Sequence, residues 1–218
     1  MKNILAIGAH PDDVEFGCSG TLKKHLNDGD NVIVLVMSAS SVKDATTGKS
    51  TRNKKDSLTE VKRAIIKELG AKLIIAPFLD TNIPFNSESV AYIEKIINDN
   101  KIDTVYTHWA GDTHQDHINT LNSTLAASRL VSNVYCYEQV PLPRVCINYP
   151  VANYYVNISD TIETKINCSI AHTSQIKKYM LNGVDLVHNL KVLAMYRGIQ
   201  CNKEYAEAFV VLKSLKNE

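Results

Sequence analysis

Ile4-Leu5-Ala6-Ile7-Gly8-Ala9-His10-Pro11-Asp12-Asp13 is the stretch on which the reading of this chain turns. Its apolar run has the length of a buried strand, and the Gly-spaced segment Gly17-Cys18-Ser19-Gly20 follows shortly after. A strand that ends in one imidazole and two carboxylates delivers them into a turn beyond its carboxyl end, where open α/β sheets gather their chemistry. Far downstream, His114-Gln115-Asp116-His117 follows a second apolar strand that ends at Thr107. Two His/Asp clusters, each at a strand exit, form the pattern of a metal site.

Outward from that stretch the pattern alternates. Strands are predicted over Asn3–Ala9, Asn31–Met37, Lys72–Phe78, Ile102–Thr107 and Asn133–Tyr137, all continuous apolar runs of the kind a parallel sheet buries on both faces. Helices are predicted between them over Cys18–Asn27, Asp56–Leu69 with Gly70 as its C-terminal stop, Ser89–Asn98 and His114–Val131. The alternation implies a doubly wound α/β sheet with right-handed crossovers. Val42–Lys55 is polar, lacks periodicity and reads as a long loop. After Glu138 the pattern loosens around Pro141, Pro143 and Pro150. A strand over Asn153–Ile158, a helix capped by Ser159 with Glu163 in its first turns, helices over Thr173–Leu181 and Asp185–Arg197, and a late edge strand over Ala206–Leu212 complete the expectation. No repeat or domain boundary is evident, so residues 1–218 are read as one domain.

Composition narrows the function. The formal net charge of +1 gives no broad field to attract nucleic acid or an acidic membrane. No apolar run approaches the roughly 20 residues that cross a bilayer, and Met1-Lys2-Asn3 leads into a strand without signal-peptide anatomy. The cysteines, at 18, 136, 146, 168 and 201, are odd in number and scattered. A disulfide framework or thiolate zinc knuckle does not fit them, and a reduced, cytoplasmic protein is expected.

Within the clusters, His10 and Asp13 lie three apart on a turn that Pro11 stiffens, and His117 is a natural third ligand. Two imidazoles and one carboxylate with room for water suit a catalytic zinc. The plainer alternatives are a core histidine and a helix-capping Asp12-Asp13 pair. Consecutive acids at a buried strand exit, however, are costly unless paired or metal-bound. Asp12 points away from Asp13 and is placed to take a proton from water as general base, or else caps the following helix. Glu15 is read as structural. His114 shares a helix face with His117 and could stabilise an oxyanion or protonate a leaving amine, or merely start the helix. Asp116 could hold one of these rings in its tautomer, and whether His108 supports the site is left open.

Weaker signals stay weak. Gly48-Lys49-Ser50 ends like a phosphate loop, but the earlier glycine is Lys43. Lys49, Arg52, Lys54 and Lys55 form a basic loop that reads better as a solvated face than as an anion contact. His172 flanks a helix start, and His25 and His188 suggest surface or packing roles. Neither a Gly-Xaa-Ser-Xaa-Gly elbow nor His-Glu-Xaa-Xaa-His is present.

The segments Ala9–Leu22 and Gly111–His117 together resemble the two signatures of the PIG-L/LmbE-like metal-dependent N-deacetylases. His172–Gln175, Arg197-Gly198 and Tyr205–Phe209 are similar to later blocks of that family. The resemblance implies a Rossmann-like α/β fold, a mostly parallel sheet flanked by helices on both faces. It implies zinc-dependent hydrolysis of an N-acetyl or other N-acyl group, with ferrous iron an alternative metal. The implied substrate is an amino sugar or its conjugate, and a homo-oligomer is compatible with it. Carried over by residue, His10, Asp13 and His117 become metal ligands and Asp12 the general base. His114 becomes the group that polarises the carbonyl, oriented by Asp116. One departure stands out: many members carry arginine where this chain has Ser57, three residues before Glu60.

Overall fold

The computed structural model describes residues 1–39, 42–43, 50–139 and 151–215. Its main sheet has seven strands: β1 (Asn3–Gly8), β2 (Asn31–Ser38), β5 (Lys72–Phe78), β6 (Thr104–Thr107), β7 (Asn133–Tyr137), β8 (Tyr154–Asn157) and β9 (Ala206–Ser214). A short antiparallel pair, β3 (Val42–Lys43) and β4 (Ser50–Arg52), stands apart from it. The strand order is β5-β2-β1-β6-β7-β9-β8. The first five run parallel, and β9 and β8 are added antiparallel.

The helices are α1 (Asp13–Asn27), α2 (Lys54–Lys62), α3 (Ser87–Asp99), α4 (Gln115–Ala127), α5 (Ile162–Ile170), α6 (Thr173–Leu181) and α7 (Leu186–Gln200). Helix α2 continues as a π-helical segment over Arg63–Leu69. Alternate residues of β1 face opposite sides of the sheet, as the pleat requires. Ile4 and Ala6 join the core that contains Val14, Leu22, Ile65 and Leu69, so α1 and the π segment lie on that face. Leu5 and Ile7 join the core that contains Ile93, Ile97, Val105 and Val131, so α3 lies on the other. A third apolar cluster joins Phe16 to Ile162, Ile166, Leu186 and Leu190 and seats α5 and α7. The mixed α/β fold with a mostly parallel sheet is therefore as the sequence implied.

Strand β1 is flanked by β2 on one side and β6 on the other, and the chain winds outward from it in both directions. The carboxyl ends of β1 and β6 thus open into the crevice where the winding reverses. The two His/Asp clusters emerge there.

Four boundaries differ from expectation. Helix α1 begins at Asp13 rather than Cys18, because Val14, Glu15, Phe16 and Gly17 are all buried and helical. Gly17 is needed for close packing: a Cβ there would lie 2.4 Å from the Tyr137 ring. Tyr137 in turn donates its hydroxyl to the Ile7 carbonyl at 2.9 Å. Helix α4 stops at Ala127, short of Val131. Ser159 does not cap α5; the cap position is Thr161, whose hydroxyl donates to the Gly20 carbonyl at 3.0 Å instead. Strand β9 is not an edge strand, because β8 pairs along its outer side. Part of the expected 42–55 loop is β3, β4 and the first turn of α2, while residues 44–49, including Lys49, lie outside the described residues. So do Pro141, Pro143, Pro150 and Cys146.

Candidate metal centre

The β1–α1 turn carries His10 and Asp12, and Asp13 opens α1; the β6–α4 connection carries His108, Asp112 and His114, and the first turn of α4 carries Asp116 and His117. Nδ1 of His10 lies 3.6 Å from Oδ2 of Asp13. Nε2 of His117 lies 3.3 Å from Oδ1 of the same carboxylate. One ligand atom from each of His10, Asp13 and His117 falls within 4.8 Å of the other two. Ligand bonds of about 2.0–2.1 Å in a tetrahedron imply ligand–ligand edges of about 3.3–3.4 Å; the His117–Oδ1 separation matches such an edge, while the His10 separation is to the other oxygen of Asp13. All three side chains are buried.

The far nitrogens strengthen the fit. His117 Nδ1 meets Asp112 Oδ2 at 2.7 Å, and His10 Nε2 meets Asp116 Oδ2 at 2.9 Å. Each ring therefore has a carboxylate partner on one nitrogen and turns the other toward Asp13. Carboxylate–histidine pairs of this kind fix the tautomer of metal-binding imidazoles. A second group, His10, His114 and Asp116, also has ligand atoms within 4.8 Å. It shares His10 with the first and engages it through the nitrogen already held by Asp116.

Asp13 is pinned from several sides. Its Oδ2 accepts from the His10 backbone N–H at 2.7 Å and approaches His108 Nε2 at 3.4 Å. Its Oδ1 accepts from the Gln139 amide at 3.4 Å. Burial opposes its charge, but His117 and His108 outweigh that and hold its carboxyl well below the usual range. Burial likewise opposes the charge on His117, yet Asp13 and Asp112 push its pKa up to about 10. His108, desolvated and set beside His117, falls to about 4. His108 accepts the Ala9 N–H at Nε2, 2.9 Å away, and stacks on His117 with ring centroids 4.2 Å apart. It lies within the cluster as a support beneath Asp13 and His117.

Asp12 occupies the N-cap position of α1 with φ 113°, yet its side chain makes no capping hydrogen bond. A left-handed aspartate is strained by about 1–3 kcal/mol and persists only where the surroundings enforce it. Asp12 therefore does not cap α1 through its side chain, and it stands as a strained, buried residue one position before Asp13.

His114 is the N-cap of α4: its Nδ1 accepts the Asp116 backbone N–H at 3.2 Å. An imidazole that accepts at Nδ1 carries its proton on Nε2. Burial, His117 and His10 all lower its pKa, which favours this neutral, N–H-donating form. Its ring lies 5.0 Å from that of His10 and 4.6 Å from that of His117, centroid to centroid.

The Asp116 carboxylate does not orient His114, as the resemblance implied; it holds His10. The remaining Asp116 contacts come from the backbone N–H groups of Thr81 (2.6 Å) and Ile83 (3.2 Å), which place the β5–α3 loop against the site. His10 and these N–H groups, against the cost of burial, hold its carboxyl below the ordinary value. Asp116 reaches His114 through its backbone N–H instead. Asp112, the partner of His117, and Gln139 at the exit of β7 touch this cluster, and sequence reasoning singled out neither.

The other candidates fall elsewhere. Glu15 is fully buried and pairs with His172 at 2.7 Å, a structural contact. His25 bonds Asp30 and the Tyr106 hydroxyl at the far end of α1, and His188 is exposed. Ser57 is buried in α2, and Glu60, one turn on, receives the N-terminus of α6. Lys54 and Lys55 are exposed, and the side chain of Arg52 lies outside the described residues.

A family model described as PIG-L, GlcNAc-PI de-N-acetylase, matches residues 5–128, more than half of the chain and both His/Asp clusters. The chain belongs to the PIG-L family. This PIG-L protein is 33% identical over 144 residues to an uncharacterized deacetylase, YaiS, of Escherichia coli, covering 63% of this chain and 74% of that one. It is 26% identical over 224 residues to the diacetylchitobiose deacetylase of Thermococcus kodakarensis, covering 95% and 82%. Among solved structures, GalB, the 4-carboxy-2-hydroxymuconate hydratase of Pseudomonas putida, superposes with a TM-score of 0.81 at 17% identity, covering 100% of this chain and 99% of that one. The hydratase likeness concerns the fold alone. One architecture carries different reactions, so the chemistry of this PIG-L protein rests on its site.

Proposed function

We propose that this PIG-L protein is a metal-dependent N-deacetylase that removes the acetyl group from an N-acetylated amino sugar or its conjugate. The observation that carries this reading is the convergence of His10, Asp13 and His117, with Asp116 and Asp112 on the outward nitrogens of the two rings. Zinc is the ion we assign, since two imidazoles and a carboxylate leave a position open for chemistry; ferrous iron fits the same donors.

When bound, the cation supplies Lewis acidity: it polarises the acetamide carbonyl and makes water acidic enough to attack near neutral pH. Asp12 accepts the proton of the attacking water and passes it to the departing nitrogen. His114 presents its Nε2–H to the carbonyl oxygen as that oxygen gains negative charge. Asp116 and Asp112 keep the rings of His10 and His117 in the tautomers that face Asp13. The C–N bond then breaks, and acetate and a free amine leave.

The catalytic unit is taken as the whole of residues 1–218 acting on a small molecule. Among the described residues no helix is long and apolar enough to cross a membrane. The described cysteines are free thiols, three of them buried, which supports placement in a reducing cytoplasm.

The test is acetate release by purified protein, stripped of metal and then refilled with zinc or ferrous iron. The panel holds N-acetylglucosamine, its disaccharide, and amide and ester controls. Metal-dependent acetate release from the sugars is expected. A loaded protein that spares every N-acetyl sugar but cleaves another amide or an ester moves the assignment to that bond. Failure to take up any ion removes the metal reading altogether.

A further inference from the structure

The segment that leaves β7 reaches the site from the sheet half opposite β2. Its successive side chains alternate in direction, as in extended chain. Tyr137 turns inward beneath Gly17 and bonds β1. Glu138 turns toward α7, where Arg197 grips it through two parallel hydrogen bonds, Nε to Oε2 at 2.7 Å and Nη2 to Oε1 at 2.6 Å. Gln139 turns back, and its amide nitrogen lies 3.4 Å from Oδ1 of Asp13, the oxygen that faces His117.

We infer that Gln139 is a positioning residue for Asp13, and that the Arg197–Glu138 pair is the anchor that aims it. The inference rests on Asp13 being a ligand of the metal site proposed above. A carboxylate has about four lone-pair sites. Oδ2 accepts the His10 N–H, and His108 Nε2, which itself accepts the Ala9 N–H, lies 3.4 Å from it. Oδ1 accepts from the Gln139 amide at 3.4 Å and lies 3.3 Å from His117 Nε2. A donor at that place fixes the rotation of the carboxylate and leaves Oδ1 one lone pair directed at the ion.

The anchor is equally specific. A bidentate arginine–carboxylate pair fixes angle as well as distance, and Arg197 gives its remaining nitrogen to Gln200 Oε1 at 2.7 Å. Both Arg197 and Glu138 are largely buried, with side chains 11% and 16% exposed, so solvent does little to loosen the grip. Neither belongs to the region matched by the family model, which ends at residue 128. The C-terminal layer thereby contributes to a centre whose ligands all come from the matched region, residues 5–128.

The experiment is a double-mutant cycle on metal affinity. Zinc binding is measured by competition with a chromophoric chelator for wild type, Gln139→Ala, Glu138→Gln and the double variant, with apo melting temperatures alongside. Loss of an outer partner of a metal ligand weakens binding by about 10- to 100-fold. Gln139→Ala should show at least the lower figure with little change in apo melting. Glu138→Gln should weaken zinc several-fold, and that loss should vanish in the Gln139→Ala background. Unchanged affinity in Gln139→Ala overturns the inference. So does an undiminished Glu138→Gln effect in the double variant, because the pair would then act on overall stability and not through Gln139. Failure of the metal reading looks different: wild type itself then takes up no zinc.

Discussion

Helix α1 carries two buried polar clusters a few residues apart, and they are built on opposite principles. At its first turn, Asp13 faces two imidazole nitrogens at 3.3 and 3.6 Å, each ring having its outward nitrogen tied to a separate carboxylate. Donors to a cation are thus turned toward one point. Further along, charges of opposite sign are paired directly, although Glu15 Oε2 is left without a hydrogen-bond partner among the described residues. Glu15 meets His172 at 2.7 Å. Lys165 meets Glu207 at 2.6 Å and the Phe16 carbonyl at 2.7 Å, and Glu207 accepts the N–H groups of Gly20 and Thr21. Buried polar groups that satisfy one another hold structure together. Buried groups whose ligand atoms fall within 4.8 Å of one another have the spacing that an ion could share. The long motif Ala9–Leu22 spans both clusters, one for chemistry and one for the placement of the helix that bears it.

The comparison breaks most visibly at Asp12. Asparagine tolerates left-handed backbone better than most residues, so Asp12→Asn keeps the turn and removes only the proton acceptor. Its kcat should fall by about 10²–10⁴-fold, the usual worth of a general base, with zinc content by elemental analysis unchanged. Activity within a few-fold of wild type would take Asp12 out of the proton path. Loss of zinc together with activity would place it among the ligands.

The structural cluster should answer in the opposite currency. Lys165→Ala leaves Glu207 charged and buried, facing only backbone N–H groups. Breaking a buried pair from one side costs about 3–5 kcal/mol. The midpoint of urea unfolding should fall accordingly, while the folded fraction retains wild-type zinc stoichiometry. A variant that folds normally but loses zinc would show that the two clusters are one.

How much of this the sequence disclosed depends on how far apart the partners lie. The apolar run of β1, the polar tetrapeptide after it and the His114–His117 spacing are local patterns, so the sheet, its switch point and the convergent residues were legible. The start of α1 was not. Asp13-Val14-Glu15-Phe16-Gly17 mixes acids with a glycine, and its burial depends on His172, 157 positions away. The inner place of β9 depends on β8 pairing along its flank, a tertiary event that an apolar run does not report. The Asp116 carboxylate goes to His10, 106 positions away, a pairing that no local spacing reports. Asp112 left a faint signal, an acid five residues before a candidate ligand in a loop that could fold back on it.

The smallest effect is expected where a carboxylate serves neither cluster. Glu60 accepts from the Thr173 hydroxyl at 2.7 Å, the Ser174 N–H at 2.8 Å and the Ser174 hydroxyl at 2.6 Å, and so caps α6 from α2. Burial opposes its charge, but the Ser174 and Thr173 hydrogen bonds outweigh that and hold its pKa below the ordinary 4.5. A depressed carboxyl pKa adds stability above the unfolded value, and that stability is lost as pH falls through the folded one. Glu60→Gln should therefore cost about 1–2 kcal/mol at neutral pH. The gap to wild type in urea unfolding should narrow once the pH drops below the ordinary glutamate value, because wild type then carries a neutral cap as well. A gap of equal size in neutral and acidic solution would mean that shape, not charge, makes Glu60 the cap. Zinc affinity should stay the same in either case, which separates this acid from those that surround Asp13.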